Sequence, residues 1–88
     1  MTKAAVVQMT RALARTLAPA VRVNGVAPGP VLLPDEWDRS AADRLVATTP
    51  LQSLGSADDV AQAVCYLCEA TYVTGDVIMV DGGRHVRT

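Results

Sequence analysis

The first predicted element is a helix over residues 2–18, where large apolar residues recur at steps of three and four. These residues are Val6, Met9, Leu13 and Leu17. Val7 and several alanines add a second apolar face, so we expect the helix to pack against two neighbours at once. Pro19 should end it.

A short strand is predicted over residues 21–26, VRVNGV, because valines alternate there with polar residues. Pro28-Gly29-Pro30 follows and should end the strand, since proline donates no ladder hydrogen bond. Ligands of open parallel sheets bind beyond the carboxyl ends of the strands. The corner therefore either faces a binding crevice, where Gly29 lets backbone approach a flat ligand, or is an ordinary strand-ending turn.

The second half of the chain predicts two helices and a strand. A weaker helical pattern covers residues 35–48, in one piece or two. Ser56 should cap the next helix, with Asp59 in the place of the usual Glu or Gln of a capping box. Its expected buried face runs to about residue 70 and consists of Val60, Val64, Leu67 and Cys68. Residues 76–81 contain four consecutive apolar residues, typical of a strand covered on both faces.

The order helix, strand, helix, helix, strand favours an α/β fold with a parallel sheet. Two strands do not form a stable open sheet and need neighbours. Half of the 88 residues are apolar, more than a self-contained domain of this length is expected to carry. We therefore expect residues 1–88 to form a single partial domain that is incomplete on its own.

The charge pattern restricts the partners. Eight basic and nine acidic residues are scattered singly, without the basic clusters that nucleic acids or anionic membranes attract. No apolar run approaches the roughly 18 residues of a membrane span, and the first residues lack the pattern of a secretory signal. Two cysteines without an export signal predict reduced thiols and a cytoplasmic protein.

Four segments resemble the short-chain dehydrogenase/reductase family in order and spacing. VRVNGVAPGPV is similar to the family's N-x-V-x-P-G segment, and TKAAVVQMTRALA resembles the helix that carries its catalytic lysine. LGSADDVAQAVCYLC resembles the penultimate helix, and YVTGDVIMVDGG resembles the final strand. Within the family, NGVAPGPVLLP, the Pro50-Leu51 segment and VDGGR look most similar to the pteridine-reductase branch.

The resemblance implies the C-terminal part of a doubly wound parallel-sheet (Rossmann-like) fold that binds NADP or NAD. It makes Lys3 the catalytic lysine, which also holds the nicotinamide ribose. With Lys3, it implies that Pro28, Gly29, Pro30 and Val31 bind the cofactor, the Val31 backbone meeting the nicotinamide carboxamide. Leu33 stands where many members carry a threonine.

The family's catalytic tyrosine, four residues before the lysine, has no counterpart in these 88 residues, and neither do its serine and its glycine-rich turn. The first interpretation is therefore a fragment of an NAD(P)-dependent reductase of carbonyl or pteridine-type C=N bonds, inactive by itself. The second is a non-catalytic oligomerisation or scaffold module, and the third a mis-assigned start codon. The resemblance also implies a small-molecule substrate and a homo-oligomer, dimer or tetramer.

Other candidate residues point to structural roles. Asn24 should tie strand backbone to a neighbouring loop. Cys65 and Cys68 form a C-x-x-C that lacks the other two ligands of a zinc site, so no metal is expected and both are interpreted as core residues. His85 is interpreted as a mobile surface imidazole. Trp37 is either part of a substrate lid, as the resemblance implies, or a core anchor for its helix.

Overall fold

A computed structural model of the chain describes residues 2–29 and 38–86. Its elements are α1 (Lys3–Leu17), β1 (Gly25–Pro28), α2 (Arg39–Ala47), α3 (Ala57–Glu69), β2 (Val77–Val80) and a terminal 3₁₀ helix (Arg84–Val86). The expectations for Pro30, Val31, Leu33 and Trp37 fall outside the described residues. The order of the elements is the predicted one, and the α/β class is confirmed.

Each α-helix begins at a side chain that caps it. Thr2 and Asp38 accept hydrogen bonds from backbone N–H groups in the first turns of α1 and α2. At α3 the Ser56 hydroxyl accepts from the Asp59 N–H at 3.2 Å, and the Asp59 carboxylate accepts from the Ser56 N–H at 2.7 Å. The predicted capping box is thus confirmed with aspartate, which satisfies two N–H groups that the helix itself cannot.

The two strands pair in parallel, with Gly25 opposite Val77 and Pro28 opposite Val80. The N–H groups of Gly25 and Gly29 donate to carbonyls of β2 or the residue before it, at 2.9 and 2.8 Å. Because N–H directions alternate along a strand, the nitrogen of Pro28 faces away from β2. Its missing N–H therefore costs no hydrogen bond in this pair, and β1 includes Pro28 instead of ending before it.

The predicted strand over residues 21–26 is wrong at its start, because β1 begins only at Gly25. The preceding residues bond to the connection between α3 and β2. The Val23 N–H donates to the Thr74 hydroxyl at 3.1 Å, and its carbonyl accepts from the Gly75 N–H at 2.7 Å. The alternating pattern therefore predicted extended backbone correctly, but its partner is a loop.

Side chains of this segment complete the tie to the loop. The Arg22 guanidinium donates to the carbonyls of Leu67, Ala70 and Val73 at 2.9, 2.8 and 3.3 Å. A fourth bond, to the carbonyl of Cys68, measures 3.2 Å. One arginine thus bonds to two of the last carbonyls of α3, which lack a partner within the helix, and to two carbonyls of the following turn.

Asn24 closes the same junction from the other side. Its amide nitrogen donates to the Val73 carbonyl at 2.9 Å, and its oxygen accepts from the Asp76 N–H at 3.1 Å. The predicted role of Asn24, a tie between strand backbone and a neighbouring loop, is confirmed.

α1 packs on the sheet with its small residues. Thr10 and Ala14 are buried, whereas Met9, Leu13 and Leu17 are 46%, 42% and 40% exposed. Among the described residues nothing covers the large apolar face, so the expected second neighbour of α1 stays a prediction. The small-residue face lies against the start of β1, where a Cβ added at Gly25 would be in ordinary van der Waals contact, 3.5 Å from the Thr10 hydroxyl oxygen.

α3 also has apolar residues that no other part of the described structure covers. Leu67 is buried, but Val64 is 45% exposed and both cysteines are exposed. The prediction of core positions for Cys65 and Cys68 is thus wrong in this structure, since nothing among the described residues covers that side of the helix. In the described part of the chain, every helix is too short or too polar to cross a membrane.

Candidate functional site

The carboxyl ends of β1 and β2 form the edge at which a ligand of a parallel sheet is expected. The direction of α1 decides what else reaches this edge. Ala14 lies against Gly75, before β2 begins, and Thr10 lies against Gly25, the first residue of β1. Going from Ala14 back to Thr10, the contact point between α1 and the sheet moves towards the carboxyl ends of the strands. α1 therefore runs antiparallel to the strands.

Lys3 is brought to the same edge by this packing. It precedes Thr10 by seven residues, or about 10 Å of helix. β1 advances by roughly the same 10 Å between Gly25 and Pro28. Lys3 and Pro28 therefore lie at the same level of the fold, and both are exposed.

Gly29 has a different reason to be glycine from the one expected. A Cβ at this position would lie 2.8 Å from the Cα of Asp81 and 2.9 Å from its Cβ. Glycine is thus required because the end of β1 passes against the end of β2. Close approach of a flat ligand is not needed to explain it.

A cavity of about 480 Å³ opens beside Gly29. Residues 81–85 after β2 form one wall, the loop from residue 49 to residue 55 forms a second, and the start of α3 forms a third. Met79 and Leu54 contribute apolar surface. The volume lies within the usual range of small-molecule sites, about 300–1,000 Å³.

An aspartate–histidine pair lines this cavity. Nδ1 of His85 lies 2.9 Å from both carboxylate oxygens of Asp81. The same carboxylate accepts from the N–H groups of Gly83 and His85, at 3.0 and 3.1 Å. The Asp81 side chain is 7% exposed and the His85 ring 35% exposed, so the carboxylate anchors a ring that is still accessible.

Burial raises the pKa of Asp81, but its hydrogen bonds to His85 and Gly83 and the charge of His85 lower it by more. The net effect is a pKa below the usual value of 3.8, so the carboxyl is ionised at neutral pH. An ionised carboxylate only accepts hydrogen bonds, so Nδ1 of His85 carries a proton. His85 lies at the surface as expected, but its ring is held, because Nδ1 and the backbone N–H both bond to Asp81.

Arg84 fastens the same turn to α2. Its Nη1 lies 3.1 Å from the hydroxyl oxygens of Thr48 and Thr49 and 3.4 Å from the carbonyl of Leu45. The Gly82 carbonyl accepts from the Leu51 N–H at 3.0 Å. The wall of the cavity is therefore connected on both sides, to the end of α2 and to the following loop.

Of the residues predicted for the site, Pro28 and Gly29 lie at the carboxyl end of β1, and the helix rise puts Lys3 at about the same level. Pro30 and Val31 lie outside the described part. Sequence reasoning missed the Asp81–His85 pair. Its signal was an aspartate four positions before a histidine, next to two glycines. Within residues 2–29 and 38–86, no three histidine, cysteine or acidic side chains are grouped to hold a metal ion.

Comparison with known proteins gives the family. Residues 1–85 match the family model described as Enoyl-(Acyl carrier protein) reductase. Granaticin polyketide synthase putative ketoacyl reductase 2 of Streptomyces violaceoruber is 48% identical over 83 residues, which cover 88% of this chain and 32% of the relative. Dihydromonapterin reductase of Citrobacter koseri is 38% identical over 85 residues, covering 97% of this chain and 35% of the relative.

A solved structure agrees with these relatives. FolM Alternative dihydrofolate reductase 1 from Brucella canis, complexed with NADP, superposes with a TM-score of 0.87 at 37% identity, covering 98% of this chain and 34% of that one. The chain thus spans about a third of the length of the relatives it matches. It belongs to the short-chain dehydrogenase/reductase family and corresponds to a C-terminal portion of that doubly wound fold, near the pteridine-reductase branch.

Proposed function

We propose that the chain is the C-terminal part of an NAD(P)-dependent reductase subunit whose substrate is a carbonyl compound or a pteridine-type C=N compound. The observation that carries this proposal is the antiparallel packing of α1 on the sheet, from which we infer that Lys3 lies near the edge where β1 ends. The names of the relatives support the reaction class, and dihydromonapterin reductase supports a pterin substrate. The NADP in the Brucella canis structure supports NADP over NAD.

The described residues fit a nicotinamide nucleotide. Lys3 offers an ammonium that donates to ribose hydroxyls, and Pro28 offers an exposed apolar ring at the same level of the fold. We extend the site by resemblance to Gly29, Pro30 and Val31, with Gly29 contributing backbone only. The nicotinamide, when bound, supplies the hydride for the reaction.

We propose that these 88 residues have no turnover by themselves. In the family, the ammonium lowers the pKa of a tyrosine four residues earlier, and that tyrosine protonates the developing oxyanion. No tyrosine stands at that spacing in this sequence. Lys3 therefore has no proton donor to activate within the chain.

A chimera tests the proposed role. Residues 1–85 would replace the matching segment of the Citrobacter koseri dihydromonapterin reductase, and oxidation of NADPH by a dihydropterin would be followed by absorbance. The chimera should turn over, and Lys3→Ala should lower kcat/KM by at least about 100-fold, as expected for loss of acid–base assistance. Arg11→Ala, at an exposed position of the same helix, is the matched control.

Equal turnover of the chimera and its Lys3→Ala variant would overturn the assignment of Lys3. The 88-residue chain is assayed in parallel. NADPH oxidation by it well above that of its own Lys3→Ala variant would overturn the proposed inactivity. Sequencing the gene upstream of Met1 tests whether these residues are part of a longer subunit. A tyrosine codon four positions before the Lys3 codon is expected there.

The exposed apolar surface supports a second candidate, an oligomerisation module. Met9, Leu13 and Val64 are each more than 40% exposed. Light scattering after size exclusion distinguishes the two: a discrete dimer or tetramer supports the module, and a monomer or polydisperse aggregate supports the first proposal.

A further inference from the structure

The cavity beside Gly29 has features that the proposed hydride transfer does not use. Its wall carries an imidazole that is fixed and accessible at once, since Asp81 holds Nδ1 of His85 at 2.9 Å while the ring stays 35% exposed. Within the described residues, no protein group bonds to the other ring nitrogen, Nε2. The ring is therefore oriented by one nitrogen and leaves the other for a ligand.

The protonation state of the ring determines what kind of ligand it takes. Nδ1 bears the proton because the Asp81 carboxylate can only accept. In the neutral ring Nε2 then has a lone pair and accepts a hydrogen bond. The matching ligand group is a donor, such as a hydroxyl or a ring N–H.

The other lining residues of the cavity indicate what kind of surface the ligand has. Met79 and Leu54 line it with apolar surface, and Gly29 and Gly82 bring backbone without side chains to its rim. The Gly82 position cannot gain a side chain, because a Cβ there would lie 2.7 Å from Thr49 Cγ2. Ser53, Gln62 and Arg84 line it as well, so the walls suit a small molecule with both apolar and polar surface.

We propose that this cavity is a binding site for a small ring compound, part apolar and part polar, that donates one hydrogen bond, from a hydroxyl or a ring N–H, to Nε2 of His85. The site lies at the carboxyl edge of the sheet but contains neither Lys3 nor Pro28. It does not depend on hydride transfer by the chain.

The single histidine of the sequence makes the test direct. The ¹⁵N signal of Nε2 in the 88-residue chain would be followed by NMR at neutral pH during titration with phenol. Anisole is the matched probe, because it has the same ring with a methoxy group in place of the donor. Phenol should shift the Nε2 signal saturably at millimolar concentration, and anisole should bind at least fivefold more weakly.

Two variants locate the response. Ser53→Trp should fill the cavity and abolish the phenol-dependent shift, since Ser53 lines it. Thr71→Trp, at an exposed turn beyond the other end of the sheet, should leave the shift unchanged. Far-UV circular dichroism checks that both variants keep the helical content of the parent chain.

The proposal fails if phenol produces no saturable shift, or if anisole binds as tightly as phenol. It fails equally if Ser53→Trp retains the shift while folded. A His85 signal at the position of an unfolded chain, unaltered by phenol, would also overturn it, because the binding site is proposed for this chain as it stands.

Discussion

The two ends of the sheet are built in different ways. At the amino end, the side chains of Arg22 and Asn24 form hydrogen bonds with backbone groups at the end of α3 and in the connection to β2. At the carboxyl end, Lys3 and Pro28 are exposed, and a cavity separates the end of β2 from the start of α3. The amino end is thus closed by hydrogen bonds, whereas the carboxyl end combines a hydrogen-bonded turn with the groups able to contact a ligand.

The strongest test of this contrast is Arg22→Met. The substitution leaves several carbonyls at the end of α3 without a donor, so the free energy of unfolding should fall by about 3 kcal/mol, since bonds from a charged donor are worth the most. Urea unfolding monitored by circular dichroism measures it. Arg11→Met, an exposed arginine of α1, is the control and should change stability by less than about 0.5 kcal/mol. Similar losses in both variants would contradict the role of Arg22.

Gly29→Ala tests whether the carboxyl edge contains any tight contact. The added Cβ would meet Asp81 backbone at 2.8 Å, so we expect a loss of about 2 kcal/mol from overpacking. Gly25→Ala, at the other end of the adjoining strand β1, is the matched control. Its Cβ would meet a Val77 methyl at 3.4 Å, and the loss should stay below about 1 kcal/mol. The interpretation is wrong if Gly25→Ala proves the more damaging change.

Asp81→Asn addresses the pH dependence of the same edge. The folded pKa of Asp81 lies below its usual value, because hydrogen bonds and the His85 charge outweigh burial. Its stabilising contribution is therefore complete above the unfolded pKa of about 3.9 and is lost as the pH falls through the lower folded pKa. The urea midpoint of the parent should fall more steeply than that of Asp81→Asn as the pH drops below about 4.

Parallel curves for the two proteins in this acid range would show that the Asp81 carboxylate contributes nothing to stability. Asp43→Asn removes an exposed carboxylate of α2 and serves as the control for the change in net charge.

Lys3→Ala should have the smallest effect on stability. Lys3 is exposed in the first turn of α1, where alanine is an equally good helix former, so the unfolding free energy should stay within about 0.5 kcal/mol. Thermal unfolding by circular dichroism is sufficient to measure it. A loss of more than 1 kcal/mol would mean that Lys3 holds the fold together, and the contrast between the two ends would no longer apply.

The sequence predicted the elements well where the signal is local. The capping box at Ser56 and the end of α1 before Pro19 depend on neighbouring residues only, and both were predicted. The start of β1 was missed because Arg22 and Asn24 bond to residues about 50 positions away. What covers the large apolar face of α1 could not be predicted for a related reason, since periodicity identifies an apolar face but not its neighbour.

The site divides in the same way. The expectation for Lys3 and Pro28 depends on motif spacing, which is a property of the family, and it stays a prediction. The Asp81–His85 pair was missed because the last residues of the sequence are polar and show no apolar periodicity. Only the folded turn shows that the Asp81 carboxylate accepts hydrogen bonds from two backbone N–H groups and from the His85 ring.

The parallel pairing of β1 with β2 also has a consequence for the kinetics of folding. Asn24 and Asp76 are 52 positions apart, so the chain must close a long loop before the first inter-strand bond forms. α3 carries its own start signal and can nucleate locally, long before that closure. We therefore expect helices to form early and the strand edges to stay unpaired until late, which makes nascent chains vulnerable to aggregation during synthesis.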